Sequence, residues 1–365
     1  MLTENQMENI INRNEEILNS KKMAKEVVDL FRHFDEKQSK KIDNCASTLV
    51  FQFDMNSGQR KLASANFCHN KFCPECSRRR SRLMYHNLKK VLTIAKKEYN
   101  QEFIHFTLSL KNCKKEDLKK SLDELFHGFI TMMKRGQFEY SINGWYRNLE
   151  ITYNEKEDTL HPHLHVILAV DKDYFRKYSK KYLTQEYITE EFKTACQVDY
   201  NPIVFLKKVY SKKKNLTAEE KLHSLVAECS KYVTKMADFL NLENEDLKVG
   251  LLESLSKGLF KRRMCAYGKL LRKIFKDLKL ESEETSDLIN IEEQEIILGD
   301  NCVFGIFSYN KKEQKYKLVK VLEHFVPAWK VAEERKRLMK KKENNDTKEF
   351  IKAVKRKTLK AYLSR

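Results

Sequence analysis

The stretch that decides the fold is WYRNLEITYNEKEDTLHPHLHVILAV, residues 145–170. WYRNLEITY (145–153) and HLHVILAV (163–170) read as strands, and the short polar NEKEDT between them reads as a hairpin turn. Side chains alternate across a strand, so His161, His163 and His165 project from one face. A lone histidine in such a place is usually a packing residue; three in five positions, opening an apolar strand, point to a divalent cation. If the hairpin turns at Glu157 and Asp158, residues whose numbers sum to 315 pair, and Glu150 lies opposite His165 on the same face. Two imidazoles and one carboxylate suit Mn²⁺ or Mg²⁺ with positions left open for substrate oxygens. Glu157, Asp158 and His161 are the weaker candidates for third ligand, and a slip of one residue would remove Glu150 from the site.

Working outward, FIHFTLSL (103–110) and VDYNPIVFLKKV (198–209) read as further strands, with helices near 115–135 and 184–196. This order predicts an α+β domain over 101–245, a mainly antiparallel central sheet flanked by helices. Residues 1–44 read as a helical arm, and 45–100 as a cysteine-bearing module with the strand TLVFQF and a Lys-rich helix at 81–99. One helix is expected from Thr217 to Leu240 and a second over KGLFKRRMCAYGKLLRKIFKDL. Residues 281–300 hold eight carboxylates and no Lys or Arg, which predicts a solvated linker or insertion. The hairpin CVFGIFSYN with KYKLVKVLEHF follows, within a mainly helical 246–329 region assigned to DNA binding or oligomerisation, and 330–365 reads as a basic helical tail.

Cys68, Cys73 and Cys76 form C-x4-C-x2-C, with Cys45 upstream. Four thiolates satisfy tetrahedral Zn²⁺, and a C-x2-C knuckle presents two sulfurs from one tight turn. His69 is the alternative to Cys45. Four protein ligands leave no place for water, so the predicted zinc is structural. Arg78, Arg79, Arg80 and Arg82, directly after, are then candidates to meet phosphate from a rigid base. Cys113, Cys196, Cys229, Cys265 and Cys302 carry no such spacing and read as packing residues.

The chain has 71 Lys plus Arg against 52 Asp plus Glu, a net charge of +19. That excess argues for a polyanionic partner, nucleic acid first. Hydrophobic residues make up 41%, enough for a core and too many for wholesale disorder. No run approaches the roughly 18–20 apolar residues of a membrane span, and the polar N-terminus lacks a signal-peptide core. A soluble, cytoplasmic protein with no membrane partner is expected. In AECSKYVTKM, Glu228, Tyr232 and Lys235 stand at i, i+4 and i+7 of the predicted helix, on one face. A helical tyrosine is by default structural. To act as a nucleophile it needs a nearby cation that favours the phenolate, which Lys235 could supply, unless Lys235 contacts the scissile phosphate instead.

The His163-Leu164-His165 strand and the downstream Y-x-x-K helix resemble the hallmark motifs of HUH endonucleases. The ordered set is similar to the rolling-circle replication initiators of small Gram-positive plasmids: Cys45 with C-x4-C-P-x-C and its following RRR, FTLSLKN, NLEITYN with HPHLHV, E-x-x-K-Y-x-x-K, GLFKRRMCAYGKLLRKIFKDL and FSYNKKEQKYKL. The likeness runs over about residues 42–325. It implies an HUH core with Tyr232 as nucleophile on origin DNA, yielding a 5′-phosphotyrosine link and a free 3′-OH. It also implies Glu228 as the carboxylate that activates water to end the cycle, and host helicase and polymerase as partners, with oligomerisation left open. Lys261, Arg262 and Arg263 fall in the segment expected to dock on DNA. A single-tyrosine HUH transposase and a non-catalytic zinc-containing DNA-binding protein are the alternatives.

Overall fold

The computed structural model describes residues 2–207, 217–230, 240–289, 291 and 296–326. Its centre is β5 (Thr159–Asp171), buried from Leu164 to Val170. A strand covered on both faces has no solvent side to alternate with, which is why HVILAV reads as a continuous apolar run. β5 pairs antiparallel with β4 (Gly144–Asn154) and with β3 (Gln101–Ser109). β6 (Ile203–Lys207) and β7 (Cys265–Gly268) complete an all-antiparallel sheet in the order β6-β3-β5-β4-β7.

Each face of this sheet has its own helices. Leu149, Leu164, Val166 and Leu168 join Leu122, Leu125 and Phe129 of α5 (Leu118–Met132), Phe192 of α7 (Gln185–Cys196) and Leu251 and Leu255 of α9 (Glu245–Gly258) in one core. Tyr146, Ile167 and Ala169 face the other way. They pack with Leu88, Val91, Leu92 and Ala95 of α4 (Pro74–Tyr99), Leu225, Val226 and Cys229 of α8 (Ala218–Cys229), and Leu271 and Ile274 of α10 (Lys269–Asp277). The spacing 88, 91, 92, 95 is one stripe of a helix, so the second half of α4 presents a single apolar face to the sheet.

The other end of α4 belongs to a second sheet, ordered β2-β1-β8-β9 and also antiparallel. β1 (Thr48–Asp54) and β2 (Arg60–Ala65) come from the N-terminal third; β8 (Cys302–Asn310) and β9 (Lys315–Leu322) are the hairpin expected near the C-terminus. Phe51, Phe53 and Phe307 cluster with ring centroids 6.0–6.2 Å apart. α1 (Glu4–Asn12) closes over β9, the Asn12 amide bonding the backbone N and O of Tyr316 at 2.8 Å each. α2 (Glu15–Arg32) and α3 (Glu36–Asp43) pack together, and α2 also packs on α4.

Three expectations are corrected. The Lys-rich helix begins at Pro74, not 81: proline at the first helical position is preorganised for a helix start, so SRRRSR lies inside α4. KGLFKRRMCAYGKLLRKIFKDL is not one helix, because CAYG leaves to pair with β4. A Cβ at Gly268 would stand 1.9 Å from Trp145 Cε2, so the indole requires glycine where the strand gives way to α10. The acidic segment is not a solvated linker in its described part: Glu283, Ser286, Leu288, Ile289 and Ile291 are buried.

That segment lies over the arginines. Arg79 donates to the Leu288 and Ile289 carbonyls, the latter at 3.1 Å. Arg80 donates to the carbonyls of Glu283 (3.2 Å), Asn70 (3.1 Å) and His69 (2.6 Å). Both are buried, with guanidinium donors spent on backbone, and in this arrangement neither meets phosphate. Arg80→Ala leaves three carbonyls without their donor and is expected to cost about 2–4 kcal/mol in urea unfolding, with the salt dependence of DNA binding unchanged. A variant of wild-type stability and weakened DNA affinity would return Arg80 to the DNA.

Candidate metal centres and active site

The first cluster is built where α3 ends and α4 starts. Cys73 is the N-cap of α4 and Cys76 lies in its first turn, so both sulfurs sit at the electropositive end of the helix. Cys45 and Cys68 come from the chain on either side of the β1–β2 hairpin. The Cys76 sulfur is 3.6 Å from Cys45 Sγ and 3.7 Å from Cys68 Sγ, and the four sulfurs lie within 4.8 Å of one another. A tetrahedron with 2.3 Å metal–sulfur bonds has edges of about 3.8 Å, so the set could hold Zn²⁺. The fourth position goes to Cys45 and not to His69. Contact with the other three sulfurs holds the Cys76 thiol well below its usual range, whereas such contact and burial push Cys45 up.

The second cluster lies on the sheet face that α8 partly covers. Thr217 caps α8 reciprocally with Glu220, its hydroxyl accepting from Glu220 N at 3.2 Å and its N–H donating to the carboxylate at 2.7 Å. At the other end the Tyr146 hydroxyl donates to the Cys229 carbonyl at 3.3 Å, so α8 ends over β4. Beyond that point the face turns polar in two cross-strand rows. Asn148, His165 and Thr107 form one; Glu150, His163 and Ser109 form the next. The β4–β5 loop is Glu155–Asp158 and paired numbers sum to 313, so Glu150 lies opposite His163 rather than His165. The two registers differ by two, an even number, and Glu150 keeps its face.

Glu150 Oε2 is 2.7 Å from His165 Nε2 and 3.1 Å from His163 Nε2. His163 Nδ1 is 3.2 Å from the His161 carbonyl, which can only accept. Both Nε2 atoms face the same carboxylate oxygen. Two electron-rich atoms in contact need a proton or a metal ion between them, and adjacent ligands on an octahedral ion with 2.1 Å bonds are about 3.0 Å apart. His163, His165 and Glu150 could thus hold a divalent cation. The two imidazoles, His163 first, hold the Glu150 carboxyl far below the usual carboxylate range.

The weaker ligand candidates stand apart. Asp158 accepts from Tyr153 at 2.7 Å and pairs with Lys115 at 2.9 Å, Glu157 accepts from Asn112 at 3.3 Å, and His161 is outside the cluster. Glu228 is half-buried in the last turn of α8. Tyr232 and Lys235 lie outside the described residues. Arg78 and Arg82 bond Glu16 of α2, Arg262 pairs with Asp123 at 2.7 Å, Arg263 with Glu284 at 2.9 Å, and Lys261 is exposed. Sequence reading missed His105, which stacks on His165 at 5.7 Å between centroids, and Asn148, fully buried beside it. The signal was there: in FIHFTLSL, His105, Thr107 and Ser109 are the polar members of a strict alternation.

Glu150→Ala is expected to weaken Mn²⁺ binding by about a hundredfold in isothermal titration, with the zinc content unchanged. Unaltered Mn²⁺ affinity would remove Glu150 from the ligand set.

Among the described residues no helix is long and apolar enough to cross a membrane. No solved structure matches the chain. The profile of a family described as Replication protein matches residues 59–317. Protein rep of Bacillus amyloliquefaciens is 34% identical over 75% of this chain and 82% of its own length. Protein rep of a Bacillus species is 36% identical over 71% and 86%, and that of Streptococcus pneumoniae is 30% identical over 74% and 81%. With the family match taking in the His–Glu cluster, three of the four clustered cysteines and the strands from β2 into β9, the chain belongs to this family of replication proteins, the rolling-circle initiators of small Gram-positive plasmids that its ordered motifs resemble.

Proposed function

We propose that the protein initiates plasmid replication in the bacterial cytoplasm as an HUH-type endonuclease that nicks one strand of its origin DNA. The observation that carries this reading is the convergence of Glu150, His163 and His165 on the sheet face where α8, the helix leading towards Tyr232, ends. His163, His165 and Glu150 would hold Mn²⁺ or Mg²⁺, which when bound polarises the scissile phosphate as a Lewis acid. The Tyr232 phenolate attacks the phosphorus; a P–O bond to Tyr232 forms as the bond to the 3′ oxygen breaks. The departing oxygen takes a proton and becomes the 3′-OH primer, while the 5′ phosphate stays on the tyrosine. Lys235 stabilises the phenolate or the phosphate. Glu228, four residues before Tyr232 in sequence, takes a proton from the water that ends the cycle.

The cysteine cluster would hold structural Zn²⁺ and fix the start of α4. Origin DNA, host helicase and polymerase are the proposed partners. Membership of the replication family weighs against the transposase reading, and the ligand geometry weighs against a protein that only binds DNA.

Tyr232→Phe is expected to abolish the covalent protein–DNA adduct formed with Mn²⁺ and a single-stranded origin oligonucleotide, with DNA affinity within threefold of wild type. Glu228→Ala should still form the adduct and release it slowly. An adduct in Tyr232→Phe overturns the assignment. Elemental analysis should find one zinc per chain, and Cys76→Ser should lose it together with thermal stability; a zinc-free native protein would sink the structural role.

A further inference from the structure

Exposed aromatic side chains gather at one place away from both clusters. Tyr140, near the end of α6 (Gly136–Ser141), is 65% exposed, and Phe175, Tyr178 and Tyr182 are 57%, 87% and 50% exposed. The last three belong to KDYFRKYSKKY, residues 172–182, between β5 and α7, where Lys172, Arg176, Lys177, Lys180 and Lys181 face one carboxylate, Asp173. The segment is held in shape. Tyr174 is buried, and its hydroxyl accepts from Leu183 N at 2.9 Å, which closes the loop. Gln137 of α6 donates to the carbonyls of Lys180 (2.7 Å) and Tyr182 (3.2 Å). The exposed Phe175 and Tyr182 rings both rest against the buried Tyr174 ring, at 5.0 and 5.5 Å between centroids. Lys181 is tied to Asp171, and the Lys177 ammonium lies 5.0 Å from the Tyr178 ring. Arg176, Lys177 and Lys180 form no ion pair with a described residue.

Rings held out to water cost hydration free energy and mark a contact surface. Cations set between them select a ligand with alternating charge and flat apolar faces. Single-stranded DNA has that pattern, since every base has a face to stack and every nucleotide a phosphate. In a duplex the faces are already stacked on one another. We propose that residues 172–182 with Tyr140 form a platform that grips single-stranded DNA by stacking. From His163 to Asp171 is eight residues of β5, roughly 27 Å at ~3.3–3.4 Å per residue, so the platform would hold a strand well away from the phosphate being cut. The nicking reading does not require this contact.

The test is fluorescence anisotropy with a labelled dT20 strand and a 20-base-pair duplex, using the full chain with no divalent cation added. Phe175→Ala/Tyr178→Ala should raise the dT20 Kd at least tenfold and the duplex Kd less than threefold. Phe175→Tyr/Tyr178→Phe, which keeps both rings, should stay within twofold of wild type. Lys177→Ala/Lys180→Ala should make the log–log salt slope on dT20 shallower by about 1.4. If the double alanine variant proves unfolded by thermal melting, Tyr178→Ala, which removes a ring with no core contact, should still raise the dT20 Kd about threefold. A dT20 Kd unchanged in a folded alanine variant, or an equal loss on duplex and single strand, overturns the proposal. Nothing in this experiment depends on Tyr232, so its failure leaves the nicking chemistry to the adduct assay.

Discussion

The structure depends on one helix that serves two cores. α4 is 26 residues long, about 39 Å at 1.5 Å per residue. Its first turn carries two of the four clustered cysteines, and its later turns form the apolar stripe against the central sheet. Cys73 with Pro74 fixes where it begins, and Asn100, in the left-handed conformation at φ 54°, fixes where it ends and turns the chain directly into β3. Between the ends, Arg79 and Arg80 bind the helix to the 283–289 segment through charge-assisted bonds to carbonyls, each stronger than a neutral hydrogen bond. Through α4 the cysteine cluster and the sheet that bears the His–Glu cluster are joined in one body.

The site is an interruption in a pattern. One face of the sheet is apolar where helices cover it and polar one strand-row beyond the end of α8. Tyr146 and Ile167 lie under the helix; Asn148 with His165, then Glu150 with His163, lie past it. Burial on the opposite face keeps these strands straight and in register, so ligand atoms borne by two strands meet without help from loops. The exposed Ile203 and Phe205 at the β6 edge pair with Ser109 and Thr107, the outermost members of the same two rows, and extend that face with apolar surface.

Much of this was legible before any coordinates. Cysteine spacing and the alternation of His161, His163 and His165 carried both clusters, because the ligands in each are close in sequence or joined by one hairpin. The turn centre lies one residue earlier than the hairpin reading places it, and Glu150 keeps its face because the pairing then shifts by two. What could not be read were the contacts between distant segments. An arginine that will donate to a carbonyl 203 residues away has the same letters around it as one that will meet a phosphate. Likewise the acidity of 281–300 suggested solvent, but Leu288, Ile289 and Ile291, spaced among the carboxylates, are what bury it. Nothing local in CVFGIFSYN said that its partner would be β1 rather than the adjacent helices.

That last pairing has a consequence for synthesis. β1 and β2 leave the ribosome early, and β8, which must lie against β1, emerges about 250 residues later. At 5–20 residues per second the interval is roughly 12–50 s, during which the β1 edge has no strand to bond and Phe51 and Phe53 lack Phe307. A chain cut short before residue 302 keeps that edge open for good, the condition under which strands recruit other chains. The four-stranded sheet is thus complete only in a copy translated past β9, and the order of synthesis leaves its first two strands waiting on its last two.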